Sequence, residues 1–213
     1  KLTKHMLNTK YNIFLFDFDG VIIDSNNVRE NGFKKVLKKY PDDKIQKLLK
    51  YHNENGGLSR YNKFRYFYEV ILGISITEKI INDYAAKFSK IMLNELPQNK
   101  YLIDDAVEYI EKLFEENKAL HIVSGSDQTE LRIITKKLKI SHYFKSILGS
   151  PTHKNILVDE VINLNNYALK EICLIGDSIN DYEAAKTNNI DFFGYNNLDL
   201  RKQKNYIETF KEL

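Results

Sequence analysis

The chain has 213 residues, of which 43% are hydrophobic and 29% charged, as is typical of a globular protein with its own core. Nine Gly and three Pro are too few for a collagen-like or disordered chain. The 32 basic and 29 acidic residues leave a formal net charge of +3, which is too even to indicate binding to nucleic acid or to an anionic membrane.

The sequence pattern predicts a cytoplasmic protein. No stretch approaches the roughly 18 to 20 consecutive apolar residues of a membrane span. Residues 1–10 lack the apolar centre of a signal peptide; we assign them no element and expect partial disorder there. The only cysteine, Cys173, cannot form an internal disulfide, which favours a reducing compartment. We therefore expect no membrane or nucleic-acid partner, and a monomer or weak homodimer.

Short apolar runs alternate with longer amphipathic segments along most of the chain. Such runs are typical of strands buried in a parallel sheet, and the segments between them have the period of helices. The predicted strands are 12–16, 119–123, 146–148, 172–175 and 191–193, and the predicted helices are 104–116, 128–138, 154–164 and 179–187. This alternation predicts an α/β protein with a doubly wound parallel sheet.

About a hundred residues separate the first predicted strand from the second, which is too long for a single crossover connection. Residues 25–97 show only helical patterns, with Ser59 and Thr77 as predicted N-caps. We therefore predict an inserted all-helical domain over residues 25–97. The α/β core would then be formed by residues 1–24 and 98–213.

Acidic and hydroxyl residues follow the predicted strands. In open parallel sheets, ligands bind beyond the carboxyl ends of the strands, so residues at these positions should lie close together. They are Asp17, Asp19, Ser124, Ser126, Asp177 and Asp181, and Lys154 begins the helix after the third strand. A cluster of carboxylate oxygens suits Mg²⁺, which prefers oxygen ligands.

This set of residues could carry out phosphoryl transfer. A carboxylate nucleophile beside a second carboxyl group, a divalent cation and a lysine is suited to chemistry through an aspartyl-phosphate. The second acid can protonate the leaving oxygen and then deprotonate the attacking water. Main-chain amides near Phe18, Ser124 and Gly125 could hold the phosphoryl oxygens. Taken alone, however, Asp19-Gly20 between apolar residues would equally indicate a turn.

Four short motifs resemble those of the haloacid dehalogenase superfamily of phosphatases and phosphomutases. They are Asp17-Phe18-Asp19-Gly20-Val21, Ser124, Lys154 and Gly176-Asp177-Ser178-Ile179-Asn180-Asp181. The resemblance covers residues 11 to about 195 and implies a Rossmann-like core with a helical cap inserted after the first motif.

The resemblance also implies a role for each motif residue. Asp17 would be the nucleophile and Asp19 the general acid and base, while Ser124 would bind the phosphate and Lys154 would neutralise charge. The Mg²⁺ ligands would be Asp177, Asp181, Asp17 and the main-chain carbonyl of Asp19. Because the proline that often follows this lysine is absent, Lys145 remains an alternative to Lys154.

The motifs are most similar to the phosphoglycolate-phosphatase and β-phosphoglucomutase-like branch. The segment Gly57-Leu58-Ser59-Arg60 is similar to a mutase cap loop in which an arginine binds a second phosphate, so Arg60 and Gly125 are candidate substrate-binding residues. The cap histidine and lysine of the mutase correspond to Arg29 and Gly56 here, which favours hydrolysis. His52 lies in the same region and is a further candidate.

We therefore expect an Mg²⁺-dependent phosphatase for a small phosphorylated metabolite, either a sugar phosphate or a phosphorylated organic acid. A β-phosphoglucomutase-like phosphomutase is one alternative, and a non-enzymatic binding protein on the same fold is another. His121 and Cys173 lie inside predicted strands and are expected to be core residues without chemistry.

Overall fold

The computed structural model describes residues 4–213, with side chains from residue 7 onward. The helices are α1 Lys4–Lys10, α2 Asn26–Val36, α3 Asp42–Glu54, α4 Arg60–Tyr66, α5 Glu78–Glu95, α6 Asp104–Glu115, α7 Gln128–Lys137, α8 Lys154–Asn165 and α9 Ile179–Thr187. The strands are β1 Ile13–Phe16, β2 Ala119–Asp127, β3 Ser146–Ser150, β4 Ile172–Gly176, β5 Asp191–Tyr195 and β6 Tyr206–Ile207. None of the helices in this part of the chain is long and apolar enough to cross a membrane.

The strands of the described residues form one parallel sheet in the order β3-β2-β1-β4-β5-β6. Strand β1 lies at the centre, with Phe16 opposite Ile122 of β2 and Ile175 of β4. The carboxyl ends of these three strands are therefore aligned at one edge. The predicted α/β fold with a doubly wound parallel sheet is confirmed.

The sheet is buried on both faces because its strands alternate side chains between two cores. In β1, Phe14 and Phe16 face a core that also contains residues of α6 and α7, while Ile13 and Leu15 face a core with residues of α8 and α9. This two-sided burial explains why β1 is continuously apolar. It also fixes where β1 ends, and hence where the polar residues begin.

Among the described residues, the stretch between β1 and β2 contains helices and two isolated β-bridges but no strand. We refer to residues 26–95, from α2 to α5, as the helical insertion. The predicted caps are confirmed: Ser59 Oγ accepts a hydrogen bond from the amide of Asn62 at 3.3 Å, and Thr77 Oγ1 accepts one from Ile80 at 3.4 Å. The helix after Ser59 continues as a π-helix over Phe67–Leu72. The exact division into a core (1–24 and 98–213) and a cap (25–97) remains a prediction.

Two elements were not predicted. Residues 4–10 form α1 instead of a segment without structure, and Leu7 is buried in the core. Residues 1–3, to which the expectation of disorder also applied, lie outside the described residues. The second new element is the short strand β6 beside β5. Strand β2 also extends beyond residue 123 to Asp127, with an irregularity in its pairing to β3 between Val123 and Asp127.

Candidate active site

Asp17 is the first residue after β1 and is fixed by its own main chain. Its amide donates to the carbonyl of Ile175 at 2.9 Å, which continues the pairing with β4. Its Oδ1 accepts a hydrogen bond from the amide of Phe18 at 2.7 Å, and the residue is only 2% exposed. The Phe18 amide, predicted as a phosphate donor, is therefore already used by Asp17.

Lys154 at the start of α8 supplies the cation beside Asp17. Its Nζ lies 3.0 Å from Asp17 Oδ1 and also contacts Asp181 Oδ1. Burial would lower the pKa of Lys154, but the charges of Asp17 and Asp181 raise it above the ordinary value. The alternative, Lys145, is exposed and precedes β3, so it lies toward the opposite end of that strand. The structure places Lys154 at the site.

Asp177 and Asp181 complete an acidic cluster after β4. Asp181 is held by a capping box at the start of α9, in which its Oδ2 accepts from the amide of Ser178 at 3.0 Å and from Ser178 Oγ at 2.7 Å. One carboxylate oxygen from each of Asp17, Asp177 and Asp181 lies within 4.8 Å of the others. This donor set of carboxylate oxygens fits a hard divalent cation such as Mg²⁺.

The electrostatics of the cluster also favour a cation. Burial and the charge of Asp181 raise the pKa of Asp17 to about 7. Burial and the charge of Asp17 likewise raise the pKa of Asp177 well above its ordinary value. Three carboxylates around the ammonium of Lys154 carry a net charge of −2 when ionised, which a divalent cation would neutralise.

Gly20 allows the loop after β1 to approach this cluster. Its φ is +74°, and a Cβ at this position would lie 2.0 Å from Asp177 Oδ2. Any other residue would therefore be strained and would displace the Asp177 carboxylate. The glycine of the first motif is required by this close approach.

The carboxylate of Asp19 makes different contacts from the other three acids. Its Oδ2 accepts a hydrogen bond from Ser126 Oγ at 2.5 Å, and its Oδ1 accepts one from Arg29 Nε at 2.6 Å and one from Ser25. Burial would raise the pKa of Asp19, but the charge of Arg29 and these hydrogen bonds lower it. Asp19 is thus held as a carboxylate outside the acidic cluster, and its predicted metal contact is through the main-chain carbonyl.

Glu130 of α7 ties the helical insertion to the sheet edge. Its Oε1 accepts from Arg60 Nη2 at 2.8 Å and from Arg29 Nη1 at 3.2 Å, and its Oε2 accepts from Arg60 Nη1 at 2.5 Å. Arg60 Nη1 also donates to Ser89 at 2.7 Å, and Glu130 is 1% exposed. The guanidinium of Arg60 is therefore already paired, although the residue lines the cavity; its binding of substrate remains a prediction.

The carboxyl-terminal part of β2 contributes Ser124 and Gly125. Ser124 is buried, and its Oγ accepts a hydrogen bond from the amide of Ser126 at 3.1 Å. A Cβ at position 125 would lie 2.0 Å from the carbonyl oxygen of Gly57 in the helical insertion, so glycine is needed for this contact. The carbonyl of Gly56, next to Gly57 in the helical insertion, accepts a hydrogen bond from Asn180 Nδ2 at 2.6 Å. The helical insertion is therefore closed over the strand ends.

A cavity of about 1130 Å³ lies between the strand ends and the helical insertion. It is lined by six of the predicted site residues: Asp17, Asp19, Arg60, Ser124, Gly125 and Asp177. The other two, Lys154 and Asp181, contact each other, and Lys154 also contacts Asp17. The polar residues of the wall also include Arg29, His52 and Lys63. His121 and Cys173 are buried, as predicted for core residues.

The sequence did not identify Glu130 or Ser25. It placed Ser126 at the strand ends, but not its hydrogen bond to Asp19. Nothing in the local pattern around Glu130 distinguishes it from a solvated helix glutamate. Its partners are 70 and 101 residues away in sequence.

We predict that Glu130→Gln lowers the free energy of unfolding by about 3–5 kcal/mol, because Arg29 and Arg60 would remain buried without a neutralising carboxylate. Glu78→Gln is the matched control, because Glu78 pairs with Arg65 at the surface and its loss should cost about 0–1 kcal/mol. Urea unfolding of both variants measures the difference. Equal losses in the two variants would contradict the prediction.

Comparison with known proteins supports the assignment of the motifs. Residues 14–195 match the family model described as haloacid dehalogenase-like hydrolase. No significant match was found among curated proteins.

Solved structures share the fold at low sequence identity. A predicted phosphatase from Clostridium acetobutylicum matches with a TM-score of 0.77 and 18% identity, over 95% of this chain and 96% of the other. A β-phosphoglucomutase from Clostridium difficile gives 0.76 and 16%, over 95% and 93%. A predicted phosphoglycolate phosphatase from Haemophilus somnus gives 0.73 and 18%, over 94% and 95%. Because the family match extends from β1 to β5 and so includes every motif at the strand ends, the chain belongs to the haloacid dehalogenase-like hydrolases.

Proposed function

We propose that the protein is an Mg²⁺-dependent phosphatase that hydrolyses a small phosphorylated metabolite through an aspartyl-phosphate on Asp17. The observation that carries the proposal is the position of the Asp17 carboxylate. It lies on the wall of the cavity, 3.0 Å from the ammonium of Lys154 and within the acidic cluster. A nucleophile in this setting is buried, oriented and surrounded by groups that manage the charge of a phosphoryl group.

In the first step, an oxygen of Asp17 attacks phosphorus and the bond from phosphorus to the ester oxygen breaks. In the second step, water attacks the phosphoryl group, and the bond to Asp17 breaks to release phosphate. Asp19 would give a proton to the leaving alcohol and take one from the attacking water. Its ionised state beside Arg29 suits the second of these roles; for the first, Asp19 must already have taken up a proton, which it gives to the leaving oxygen and regains from the attacking water. Ser124 and Gly125 line the cavity where they can bind phosphoryl oxygens.

Mg²⁺ would be held by Asp17, Asp177 and Asp181 together with the carbonyl of Asp19. When bound, it would reduce the repulsion between the incoming phosphate and the buried carboxylates. Lys154 contributes a positive charge in contact with Asp17 and Asp181.

Hydrolysis is favoured over the phosphomutase alternative by the state of Arg60. A mutase must hold a second phosphate while the first is transferred, and Arg60 was the candidate for that role. In the structure both terminal nitrogens of Arg60 are hydrogen-bonded to Glu130. The likeness to a β-phosphoglucomutase is at 16% identity and concerns the fold.

We expect Asp17→Asn to reduce phosphate release to the background rate, because an amide cannot form the acyl-phosphate. The assay is release of inorganic phosphate from a panel of phosphorylated metabolites in the presence of Mg²⁺. Full activity in the variant would reassign the nucleophile. If the wild type itself releases no phosphate from any member of the panel, a binding protein on the same fold is favoured over the proposed enzyme.

Asp177→Asn should raise the Mg²⁺ concentration needed for half-maximal activity by at least about tenfold, because it removes one charged ligand from the cluster. Asp199→Asn serves as the control, since Asp199 lines the same cavity but is exposed and lies outside the cluster. Magnesium titrations of activity and calorimetric titrations of the metal alone measure the effect. An unchanged requirement in Asp177→Asn would remove Asp177 from the metal site.

A further inference from the structure

The helical insertion contributes several nitrogen-bearing side chains to the cavity wall, and three of the buried ones are Arg29 of α2, His52 of α3 and Lys63 of α4. All three are more than nine-tenths buried, with exposed fractions of 6%, 7% and 4%. They come from three different helices of the insertion. Long basic side chains are seldom buried in this way unless a partner group satisfies them.

The hydrogen bonds of this wall are incomplete. Arg29 uses Nε for Asp19 and Nη1 for Glu130, whereas its buried Nη2 has no partner. Lys63 Nζ lies 2.7 Å from His52 Nδ1, its one hydrogen-bond partner among the described residues. His52 Nε2 is buried and also has no partner.

The tautomer of His52 follows from these contacts. Burial and the neighbouring charge of Lys63 lower the pKa of His52 to about 2, so the ring is neutral. A neutral ring that accepts from Lys63 at Nδ1 carries its hydrogen on Nε2. Arg29 Nη2, His52 Nε2 and Lys63 Nζ therefore all offer donors, and this wall lacks an acceptor for them among the described residues.

The charges on this side of the cavity also favour the binding of a negatively charged group. Arg29 and Arg60 are balanced by the carboxylates of Asp19 and Glu130, so a protonated Lys63 adds one positive charge that no carboxylate of this network balances. Burial and the charge of Arg29 lower the pKa of Lys63 to about 7; Arg60 lowers it further, while Asp19 and Asp177 oppose the shift. One additional negative charge would balance the network and hold Lys63 protonated.

We propose that Lys63, His52 and Nη2 of Arg29 form a subsite for a carboxylate of the phosphorylated substrate. The inference rests on the proposed function, because the phosphate of the same molecule would occupy the Asp17 end of the cavity. It selects a phosphorylated organic acid over a neutral sugar phosphate. The network needs one additional negative charge, which a carboxylate matches better than a second phosphate does. In this account Lys63 determines specificity and does not touch the reacting atoms.

Matched pairs of phosphate esters that differ in one carboxylate test the proposal. The pairs are 2-phosphoglycolate with 2-hydroxyethyl phosphate, 3-phosphoglycerate with glycerol 3-phosphate, and 6-phosphogluconate with sorbitol 6-phosphate. We expect at least one acid to be preferred in kcat/KM by about 10- to 100-fold, mainly through KM, the size expected for hydrogen bonds to a charged group. No preference in any pair would overturn the subsite, as would a preference for glucose 1,6-bisphosphate over all three acids.

The Lys63→Met variant tests whether Lys63 causes the preference for the acid. In this variant the kcat/KM ratio within the preferred pair should fall to near 1, and Lys63→Arg should restore part of it. Replacing a buried lysine by an apolar residue of similar length often preserves folding, and thermal unfolding checks this. Lys47→Met, at an exposed position of α3, is the control and should leave the ratio unchanged. A ratio that survives in Lys63→Met would overturn the assignment.

Binding to Asp17→Asn separates this proposal from the proposed function. Calorimetric titration of this variant with Mg²⁺ and both members of each of the three pairs measures affinity without turnover. If the wild type hydrolyses all the esters alike and the variant binds both members equally, the phosphatase stands and the carboxylate subsite fails. If the acid binds at least about tenfold more tightly but the wild type never releases phosphate, the subsite stands and the proposed function fails.

Discussion

Three clustered carboxylates beside one buried ammonium set the conditions for the rest of this structure. Asp17 follows β1, Asp177 follows β4 and Asp181 lies in the first turn of α9; Asp17 and Asp181 are buried, Asp177 is half-buried, and Lys154 contacts the first two and neutralises only part of the charge. Such an arrangement is unfavourable by itself, as the raised pKa of Asp17 and of Asp177 shows. It becomes favourable when a divalent cation occupies the cluster. The same charges that oppose folding thus prepare a site for a metal and a phosphate.

The helical insertion contributes basic side chains to the cavity wall, in contrast to the carboxylates of the acidic cluster. A chain of contacts runs from Asp19 through Arg29 and Glu130 to Arg60, and it joins the strand end to two helices of the insertion. Glu130 is the central residue of these contacts. Its buried carboxylate binds two arginines from different helices and so holds both helices over the site. A protonated Lys63 would add a positive charge to the same cavity that the acidic cluster lines. A substrate with a phosphate and a carboxylate would be complementary to both groups of residues, provided that Mg²⁺ is bound by the acidic cluster.

The sequence predicted the acidic end well for a simple physical reason. Parallel strands expose their carboxyl ends at one edge, so Asp17, Asp177 and Lys154 could be placed together from strand positions alone. The direction of a side chain does not follow from that rule. The turn of Asp19 toward Arg29 depends on a helix of the insertion, and the contacts of Glu130 join residues 70 and 101 positions apart. The pairing of His52 with Lys63 likewise depends on how α3 packs on α4. Helix α1 and strand β6 were missed because they are too short to show a clear period.

The central claim is that a phosphoryl group passes through Asp17. Acid quenching of the enzyme during turnover with Mg²⁺ and a hydrolysed substrate, followed by digestion and mass spectrometry, tests it directly. The account predicts a peptide containing residue 17 that carries one phosphoryl group, and no such peptide from Asp17→Asn. A phosphorylated residue elsewhere in the chain, or full turnover without any phosphorylated peptide under conditions that preserve acyl-phosphates, would contradict it.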